Sequence, residues 1–585
     1  MGKINIHRIS YIFIWISFIC PIYSKPIPDL NSKYQSLAVN TPSIEVVGNK
    51  LFNSASGQQF FIKGIAYQRT PQPGDTYNGP LEPYMDPLAD PLSCMRDIQY
   101  FKALGVNAVR VYQINPILNH DECMNSLSDA GIYVIADLSE PQNSIIRNYP
   151  SWDTTLYDRY SSVIDSLVKY PNTLAFIAGN EVANSLETSN TAPFIKASIR
   201  DMKSYISSKN YRKIPVGYAS NDDAGIRQDL SYYLTCHNSP SDTSNAEFIG
   251  LNIYEWCGYS TYATSGYREL TYEFMNYSVP VVMTEYGCNA VRPRPFTEVE
   301  AIYGSTMTQV WSGGVAYEYF EEVNNYGVVQ ENTDGSISQL EDFSFLANRL
   351  NSVNPIGVTK DSVKNDPMTY FECKHPSPAF MASKTLPPTP DKGKCACMQE
   401  SLTCIVNPYV TVNEGALFSQ VCGQVDCTEI INDGYTGVYG KFSDCTSTQK
   451  LSYVINKYYD NNNRNPESCN FAGNALLLKN STGNVENLTT SDGRRCQDLI
   501  YGTSLNMTFG GIVVKEPIFK NKTHFPESTT LEEEDQQHHN NRNPSGRRNY
   551  TYGGYDTSAA ATIVDQLSQF VVGVMASIAG AVLVL

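Results

Sequence analysis

The sequence predicts an α/β protein, a parallel (β/α)8 barrel followed by a small disulfide-rich module. Three observations lead to this fold class: eight short apolar runs, helix-like segments between them, and eight cysteines clustered after residue 394. The runs are rich in β-branched and aromatic residues, which favour strands. They occupy residues 60–67, 106–114, 133–139, 173–180, 213–220, 248–256, 280–287 and 313–320.

Amphipathic segments such as 157–170 and 192–208 lie between these runs and predict helices. Strands that alternate with helices over a chain of roughly 250–300 residues are typical of a closed parallel barrel. A doubly wound open sheet is the alternative arrangement. The sequence contains no Gly-rich phosphate loop that would favour it. We therefore assign residues 28–374 to the barrel.

A Pro-rich stretch, residues 375–394, predicts a linker. The composition changes after it, and residues 395–505 predict a small module held together by disulfides. Zinc binding by the close pair Cys395 and Cys397 is the competing interpretation, but this region contains no histidine. The cysteines of the module are Cys395, Cys397, Cys404, Cys422, Cys427, Cys445, Cys469 and Cys496.

Both ends of the chain carry targeting patterns. Basic residues precede a short apolar run at residues 9–20, which indicates a secretory signal over residues 1–24. Small residues near Ser558 precede a final apolar run at residues 570–585, which indicates glycosylphosphatidylinositol (GPI) attachment at Ser558 and a removed propeptide over residues 559–585. A single membrane-spanning anchor is the alternative, but the run is short and no basic residue follows it. We expect the exported protein to stay on the outer face of the plasma membrane or in the cell wall.

Composition agrees with export. Loss of Cys20 with the signal would leave an even number of the 15 cysteines, as disulfide pairing in an oxidising compartment requires. The net charge of −16 argues against nucleic acid as a partner. Residues 506–558 are polar and predict a disordered, glycosylated stalk. N-glycosylation sequons occur at Asn276, Asn480, Asn487, Asn506, Asn521 and Asn549.

Two glutamates end apolar strands, and they are the candidate catalytic residues. Glu181 closes the fourth predicted strand in "LAFIAGNEV", and Glu285 closes the seventh in "MTEYG". The carboxyl ends of barrel strands meet at one mouth, so both carboxylates can face a common cleft. Glycosidic bond cleavage requires such a pair, one protonated to assist the leaving oxygen and one ionised. The sequence contains no metal-ligand pattern, and this chemistry needs no cofactor.

These motifs identify a resemblance. "GIAYQ", "DPLADP", "RVYQINP", "GNEV", "NIYEWCG", "TEYGCN" and "GGVAYEYFEEVNNYGVV" resemble the fungal glycoside hydrolase family 72 of GPI-anchored β-1,3-glucanosyltransferases. The cysteine-rich region resembles a family 43 carbohydrate-binding module. The resemblance implies a monomeric retaining enzyme that cleaves internal β-1,3-glucan linkages. It would transfer the new reducing end to the non-reducing end of an acceptor glucan and so elongate cell-wall glucan. Endo-hydrolysis and non-catalytic glucan binding are the alternatives.

The resemblance also implies residue roles. Glu181 would be the general acid/base, Glu285 the nucleophile, and Asn180 a ligand of the sugar 2-hydroxyl. Other residues at strand ends would line the cleft: Tyr67, Gln68, Tyr112, Asp137, Tyr254 and Tyr317. The six remaining cysteines would pair as Cys94–Cys123, Cys236–Cys373 and Cys257–Cys288, with the module's cysteines pairing among themselves.

Overall fold

The computed structural model describes residues 41–70, 85–141, 143–237, 239, 241–363, 373, 379–479 and 483–501. The predicted signal, stalk and GPI-attachment segments, Ser558, and the sequons at Asn480, Asn506, Asn521 and Asn549 lie outside the described residues. The sequons at Asn276 and Asn487 lie within them, and both asparagines are exposed. In the described part of the chain, no helix combines the length and apolar character needed to cross a membrane.

Eight parallel strands close into a barrel, as the sequence predicts. The last strand pairs with the first, Gly313 opposite Ile62, and with the seventh, so the sheet has no free edge. An antiparallel hairpin, β1 (Ile44–Val47) and β2 (Lys50–Asn53), precedes the barrel. The barrel strands are β3 (Ile62–Ala66), β4 (Ala108–Val111), β5 (Tyr133–Asp137), β6 (Thr173–Asn180), β7 (Val216–Asn221), β8 (Ile249–Cys257), β9 (Val281–Cys288) and β10 (Trp311–Ala316).

Alternate side chains of each strand divide between two packed layers. Small and aliphatic residues such as Ala108, Ile135 and Ala219 share an inner cluster with Leu51 of the hairpin. Their neighbours, such as Val109 and Val134, join the larger cluster between strands and helices. This division follows from the two-residue period of a strand. The barrel interior is therefore packed below its mouth, and polar residues that face inward can collect only at the carboxyl ends of the strands.

Helices surround the barrel. Asp90 and Asp153 cap the first and third by accepting backbone N–H groups, and Gly105 ends the first at φ 77°. The predicted helices at 157–170 and 192–208 correspond to the third and fourth. The helices are α1 (Pro91–Leu104), α2 (Asp121–Asp129), α3 (Thr154–Leu167), α4 (Ala192–Ser208), α5 (Arg227–Thr235), α6 (Tyr267–Phe274), α7 (Glu298–Ile302), α8 (Glu341–Ser352) and α9 (Lys360–Val363). A second hairpin, β11 (Val329–Glu331) and β12 (Ile337–Gln339), lies between β10 and α8.

The cysteine-rich module packs short elements around its longest helix, α12 (Ser447–Asn461). Its disulfides are Cys395–Cys445, Cys397–Cys496, Cys404–Cys469 and Cys422–Cys427, so the thiolates of Cys395 and Cys397 are not available to zinc. The barrel cysteines form the three pairs that the resemblance implies. The module contains α10 (Lys392–Glu400), β13 (Cys404–Val406), α11 (Glu414–Cys422), β14 (Asn432–Asp433), β15 (Val438–Tyr439), α12 (Ser447–Asn461), β16 (Ala475–Leu477) and α13 (Cys496–Tyr501).

The described part of the Pro-rich stretch packs against both bodies that it joins. Phe380 is buried in the barrel's outer cluster, with its ring 5.7 Å from that of Tyr233. Thr389 donates a hydrogen bond to Asp201 on α4. The Ser383 N–H donates to Gly434 O in the module at 2.8 Å. Residues 379–394 therefore form a packed strap between barrel and module.

Candidate active site

Irregular pairing at the end of β6 presents Asn180 and Glu181 to the barrel mouth. Ile177 lies opposite Gly217 while Asn180 lies opposite Ala219, so β6 carries one extra residue. Such bulges re-aim the side chains that follow them. Glu181 then adopts a left-handed backbone conformation with φ 50°, and its N–H donates to Ala219 O at 2.8 Å. The Glu181 side chain is half-buried.

A second bulge lies at the end of β9. Met283 pairs with Leu251 and Glu285 with Asn252, so Thr284 is the extra residue between them. The hydroxyl of Thr284 donates to Asn252 Oδ1 at 2.9 Å, and the carboxylate of Glu285 accepts from the buried Arg110 of β4 at 3.0 Å. The bulge thereby turns two consecutive residues toward the barrel interior, which a regular strand would not do.

Three donors hold the carboxylate of Glu285. Arg110 Nη1 lies 3.0 Å and the hydroxyl of Tyr112 2.9 Å from Oε1, and the hydroxyl of Tyr254 lies 2.7 Å from Oε2. Burial raises the pKa of Glu285 to about 7, while Arg110 opposes that rise and the negative charge of Glu181 adds to it. Asn252, which lies opposite Glu285 on the neighbouring strand, donates to Glu181 Oε1 at 2.7 Å, so both glutamates lie at the same mouth.

Arg110 is the centre of the site. Its guanidinium is fully buried, and it donates to both oxygens of Asp137, to Asn180 Oδ1 at 2.9 Å and to Glu285. Its Nη1 also donates to Thr284 O at 3.2 Å. Because the donors of this planar fork are held by five acceptors on three other strands, the guanidinium sets the mutual positions of those acceptors. The carboxylates of Glu285 and Asp137 both pair with Arg110, so the positive charge of the buried guanidinium is compensated.

The amide of Asn252 joins the strands that carry Glu181 and Glu285. Its Nδ2 donates to Glu181 Oε1 at 2.7 Å and to Asn180 Oδ1 at 3.1 Å, and its Oδ1 accepts the Thr284 hydroxyl. Glu181 thus accepts a hydrogen bond from a neutral amide, whereas Glu285 faces a cation and two hydroxyls. The two carboxylates have different environments, as an acid and a nucleophile require.

Tyrosines form one wall of the cleft. The Tyr317 ring lies 6.3 Å from the rings of Tyr112 and Tyr254, in edge-to-face contact. Tyr326 joins them, with its ring 5.5 Å from that of Tyr254 and 5.4 Å from that of Tyr317. The pyranose C–H faces of a sugar pack on aromatic surfaces of this kind.

The structure corrects one predicted cleft residue and positions another. Tyr67 is 1% exposed; its hydroxyl donates to Asp97 Oδ2 at 2.8 Å, and its ring packs on Phe101. The prediction that Tyr67 lines the cleft is wrong, because Tyr67 follows Ala66 of the inner layer and points to the opposite face. Gln68, the next residue, lies beyond the end of β3 and is half-buried.

Sequence reasoning missed four residues of the site: Arg110, Asn252, Thr284 and Tyr326. Arg110 could have been recognised from the sequence, because it is a charged residue within the apolar run "VNAVRVYQI". A charge there is costly unless a buried partner compensates it. Asn252 and Thr284 carry no comparable signal, because single polar residues are common in strands.

The chain is similar to known proteins over both the barrel and the cysteine-rich module. Residues 33–354 match the family model described as glucanosyltransferase, glycoside hydrolase family 72, and residues 402–476 match the X8 domain. The 1,3-beta-glucanosyltransferase PGA5 of Candida albicans is 50% identical over 79% of this chain and 75% of its own length. The 1,3-beta-glucanosyltransferase GAS2 of Saccharomyces cerevisiae is 47% identical over 80% of this chain and 84% of its own.

The solved structures agree as well. A glutamate-to-glutamine mutant of Saccharomyces cerevisiae Gas2p, in complex with laminaritetraose and laminaripentaose, superposes with a TM-score of 0.71 at 45% identity. The match covers 79% of this chain and 98% of that one. With a family model that spans the whole barrel and relatives that match both domains, the chain belongs to the glucanosyltransferase family, glycoside hydrolase family 72.

Proposed function

We propose that this chain is a retaining 1,3-β-glucanosyltransferase in which Glu285 is the nucleophile and Glu181 the general acid/base. The observation that carries this assignment is the contrast between the two carboxylates. Glu285 is cradled by Arg110, Tyr112 and Tyr254, and Glu181 accepts from the amide of Asn252. Family membership and the laminari-oligosaccharides bound to the Saccharomyces relative support β-1,3-glucan as donor and acceptor.

In the first step, a Glu285 oxygen attacks the anomeric carbon while Glu181 protonates the departing glycosidic oxygen. The bond to the leaving chain breaks, and an ester forms between Glu285 and the glucan. In the second step, a hydroxyl of the acceptor gives its proton to Glu181 and attacks the same carbon, which releases Glu285. Two inversions retain the β configuration. We expect the two carboxyl groups to lie about 5–5.5 Å apart when glucan is bound.

The contacts favour this division of roles. A cation and two hydroxyl donors stabilise the ionised form of Glu285. These donors oppose the rise that burial gives to the pKa of Glu285 and favour the ionised form that nucleophilic attack needs, whereas Glu181 accepts from the neutral amide of Asn252 and can face the leaving oxygen.

Transfer competes with hydrolysis by water at about 55 M, and an oriented acceptor can reach an effective molarity of that order or far above. The test is to incubate the enzyme with a reduced laminari-oligosaccharide and to size the products. Products longer than the substrate support transfer. Products that are only shorter would show an endo-β-1,3-glucanase instead.

The roles of the glutamates are tested with an activated donor, β-laminaribiosyl fluoride, which needs no acid to lose fluoride. We expect Glu285→Gln to be inactive with both donors. Glu181→Gln should be nearly inactive on glucan, form the covalent intermediate from the fluoride, and yield a β-glycosyl azide when azide is added. Glu269→Gln, on the exposed surface of α6, is the matched control. A retained β-glycosyl azide from the Glu285 variant, together with an inverted α-glycosyl azide from the Glu181 variant, would show that the roles are reversed.

We also propose that the protein acts as a monomer at the outer face of the plasma membrane, held by a lipid at Ser558. Seven disulfides in the described residues support an oxidising compartment, and the terminal small-residue and apolar pattern supports the anchor. Phosphatidylinositol-specific phospholipase C should release the native protein from cells. Retention after that treatment, with release only by detergent, would favour a spanning anchor.

A further inference from the structure

The backbone of Glu181 is held in a conformation that a glutamate rarely adopts. Its φ is 50°, in the left-handed region that favours glycine. A non-glycine residue stays in this region only where its surroundings fix it, and such residues concentrate at functional sites. If φ relaxed to the usual negative range, the Cα–Cβ bond would turn away and the contact between Glu181 Oε1 and Asn252 would be lost. The contacts that fix this turn therefore help to determine where the Glu181 carboxylate lies.

Arg147 holds the peptide groups on the carboxyl side of this residue. It lies in the loop between β5 and α3 and is half-buried. Its Nη2 donates to Glu181 O at 2.6 Å and its Nε to Val182 O at 3.0 Å. A planar guanidinium with two parallel donors bridges two consecutive carbonyls, and an ammonium cannot reproduce that geometry. The side chain thereby fixes the orientation of the peptide that follows the left-handed residue.

The residues after Val182 have their own supports. The N–H of Ala183 donates to the hydroxyl of Tyr218 at 3.1 Å, and Asn221 Nδ2 donates to Asn184 O at 2.9 Å. These bonds anchor the downstream chain to β7. Loss of Arg147 would therefore free the carbonyl side of the turn at Glu181, while the Glu181 N–H stays bonded to Ala219 O and the downstream segment stays attached to β7. The effect should concentrate on the placement of the Glu181 carboxylate.

We propose that Arg147 is a positioning residue for the general acid/base: it holds the left-handed turn that aims Glu181 at the glycosidic oxygen. The inference rests on the proposed role of Glu181. Protonation of the leaving oxygen by Glu181 should depend on Arg147, whereas the attack by Glu285 on the anomeric carbon should not. A side chain that only stabilised the fold would affect both steps alike.

The test compares the two donors described above in wild type, Arg147→Met, Arg147→Lys and Glu181→Gln. General acid/base catalysis contributes about 10²–10⁴-fold, and a misplaced acid should forfeit part of it. We expect Arg147→Met to turn over laminari-oligosaccharide about 10- to 100-fold more slowly, and to form the covalent intermediate from β-laminaribiosyl fluoride within about threefold of wild type. The turnover of laminari-oligosaccharide by Arg147→Lys should lie between that of wild type and that of Arg147→Met. Arg268→Met, an exposed arginine of α6, is the matched control and should behave as wild type.

An equal loss with both donors, or no loss with either, would overturn the inference. Glu181→Gln separates this failure from that of the proposed function. If Glu181→Gln shows no difference between the donors, the assignment of the acid itself is wrong. If Glu181→Gln shows the difference and Arg147→Met does not, only the role of Arg147 is wrong. Thermal unfolding of each variant establishes that it is folded, and if Arg147→Met is not, the donor difference in Arg147→Lys decides.

Discussion

The side-chain amide of Asn252 lies 2.7 Å from Glu181 Oε1, and the opposite end of the same amide accepts the hydroxyl of Thr284, the residue before Glu285. One neutral side chain on β8 thus connects the turn that carries the proposed acid with the bulge that carries the proposed nucleophile. The spacing of the two glutamates across the mouth depends on this connection as well as on Arg110.

The first prediction concerns this amide. Asn252→Ala should lower kcat on laminari-oligosaccharide by about 10- to 100-fold, because Glu181 loses the donor that orients its carboxylate. Asn461→Ala, on an exposed face of α12, is the control and should have wild-type kcat. Steady-state kinetics with product sizing make the measurement. An Asn252→Ala enzyme with unchanged kcat would show that Glu181 is oriented by other contacts.

The second prediction concerns the buried cation. Arg110→Lys keeps the charge, but an ammonium cannot reach Asp137, Asn180 and Glu285 together. We expect the free energy of unfolding to fall by about 3 kcal/mol, since buried acceptors lose their donors, with turnover below about 1% of wild type. Urea unfolding and the transfer assay test both effects. Arg268→Lys is the surface control, and wild-type activity in Arg110→Lys would contradict the geometry.

The third prediction contrasts two tyrosines. Tyr254→Phe removes the hydroxyl on Glu285 Oε2, so kcat/KM should fall about tenfold or more with little change in the unfolding free energy. Tyr67→Phe removes a donor to buried Asp97, so the unfolding free energy should fall by about 1–2 kcal/mol with activity unchanged. The reverse pattern would restore the sequence-based assignment of Tyr67 to the cleft.

The fourth prediction concerns pH and Glu318, which is buried beside the cleft and accepts from Asn324 Nδ2 at 2.8 Å. Burial raises its pKa from 4.5 to about 8. The folded state therefore keeps the proton until about pH 8, whereas the unfolded chain loses it near 4.5. Ionisation favours unfolding across that window, so the contribution of Glu318 to stability decreases as the pH rises from about 4.5 to 8.

Glu318→Gln imitates the protonated acid at every pH. Its melting temperature should match wild type near pH 4.5 and exceed it near pH 8, by an amount equivalent to about 1–4 kcal/mol. Glu269→Gln, which is exposed, should show no such trend. Calorimetry at both pH values provides the measurement, and parallel curves for Glu318→Gln and wild type would disprove the buried-acid interpretation.

The strands of the barrel were predictable because their pattern is local, whereas the details of the site depend on contacts between distant strands. Predicted run 313–320 becomes β10 at Trp311–Ala316, ending before Tyr317, whose carbonyl accepts from Arg294. The bulges at Asn180 and Thr284 arise from register with β7 and β8, which a single sequence does not specify. Tyr67 was misplaced for a related reason: the end of a strand is recognisable, but the face that its last residue occupies is not.

The packed strap of residues 379–394 has a practical consequence. A Pro-rich stretch between two domains normally attracts proteases and offers a convenient point of truncation. Here Phe380 and the chain around it are part of the barrel's own wall, with Tyr233 donating to Ser383 O. A barrel severed before this stretch would present bare apolar surface to water and tend to aggregate. The natural unit for secretion or crystallisation is therefore the barrel together with the cysteine-rich module.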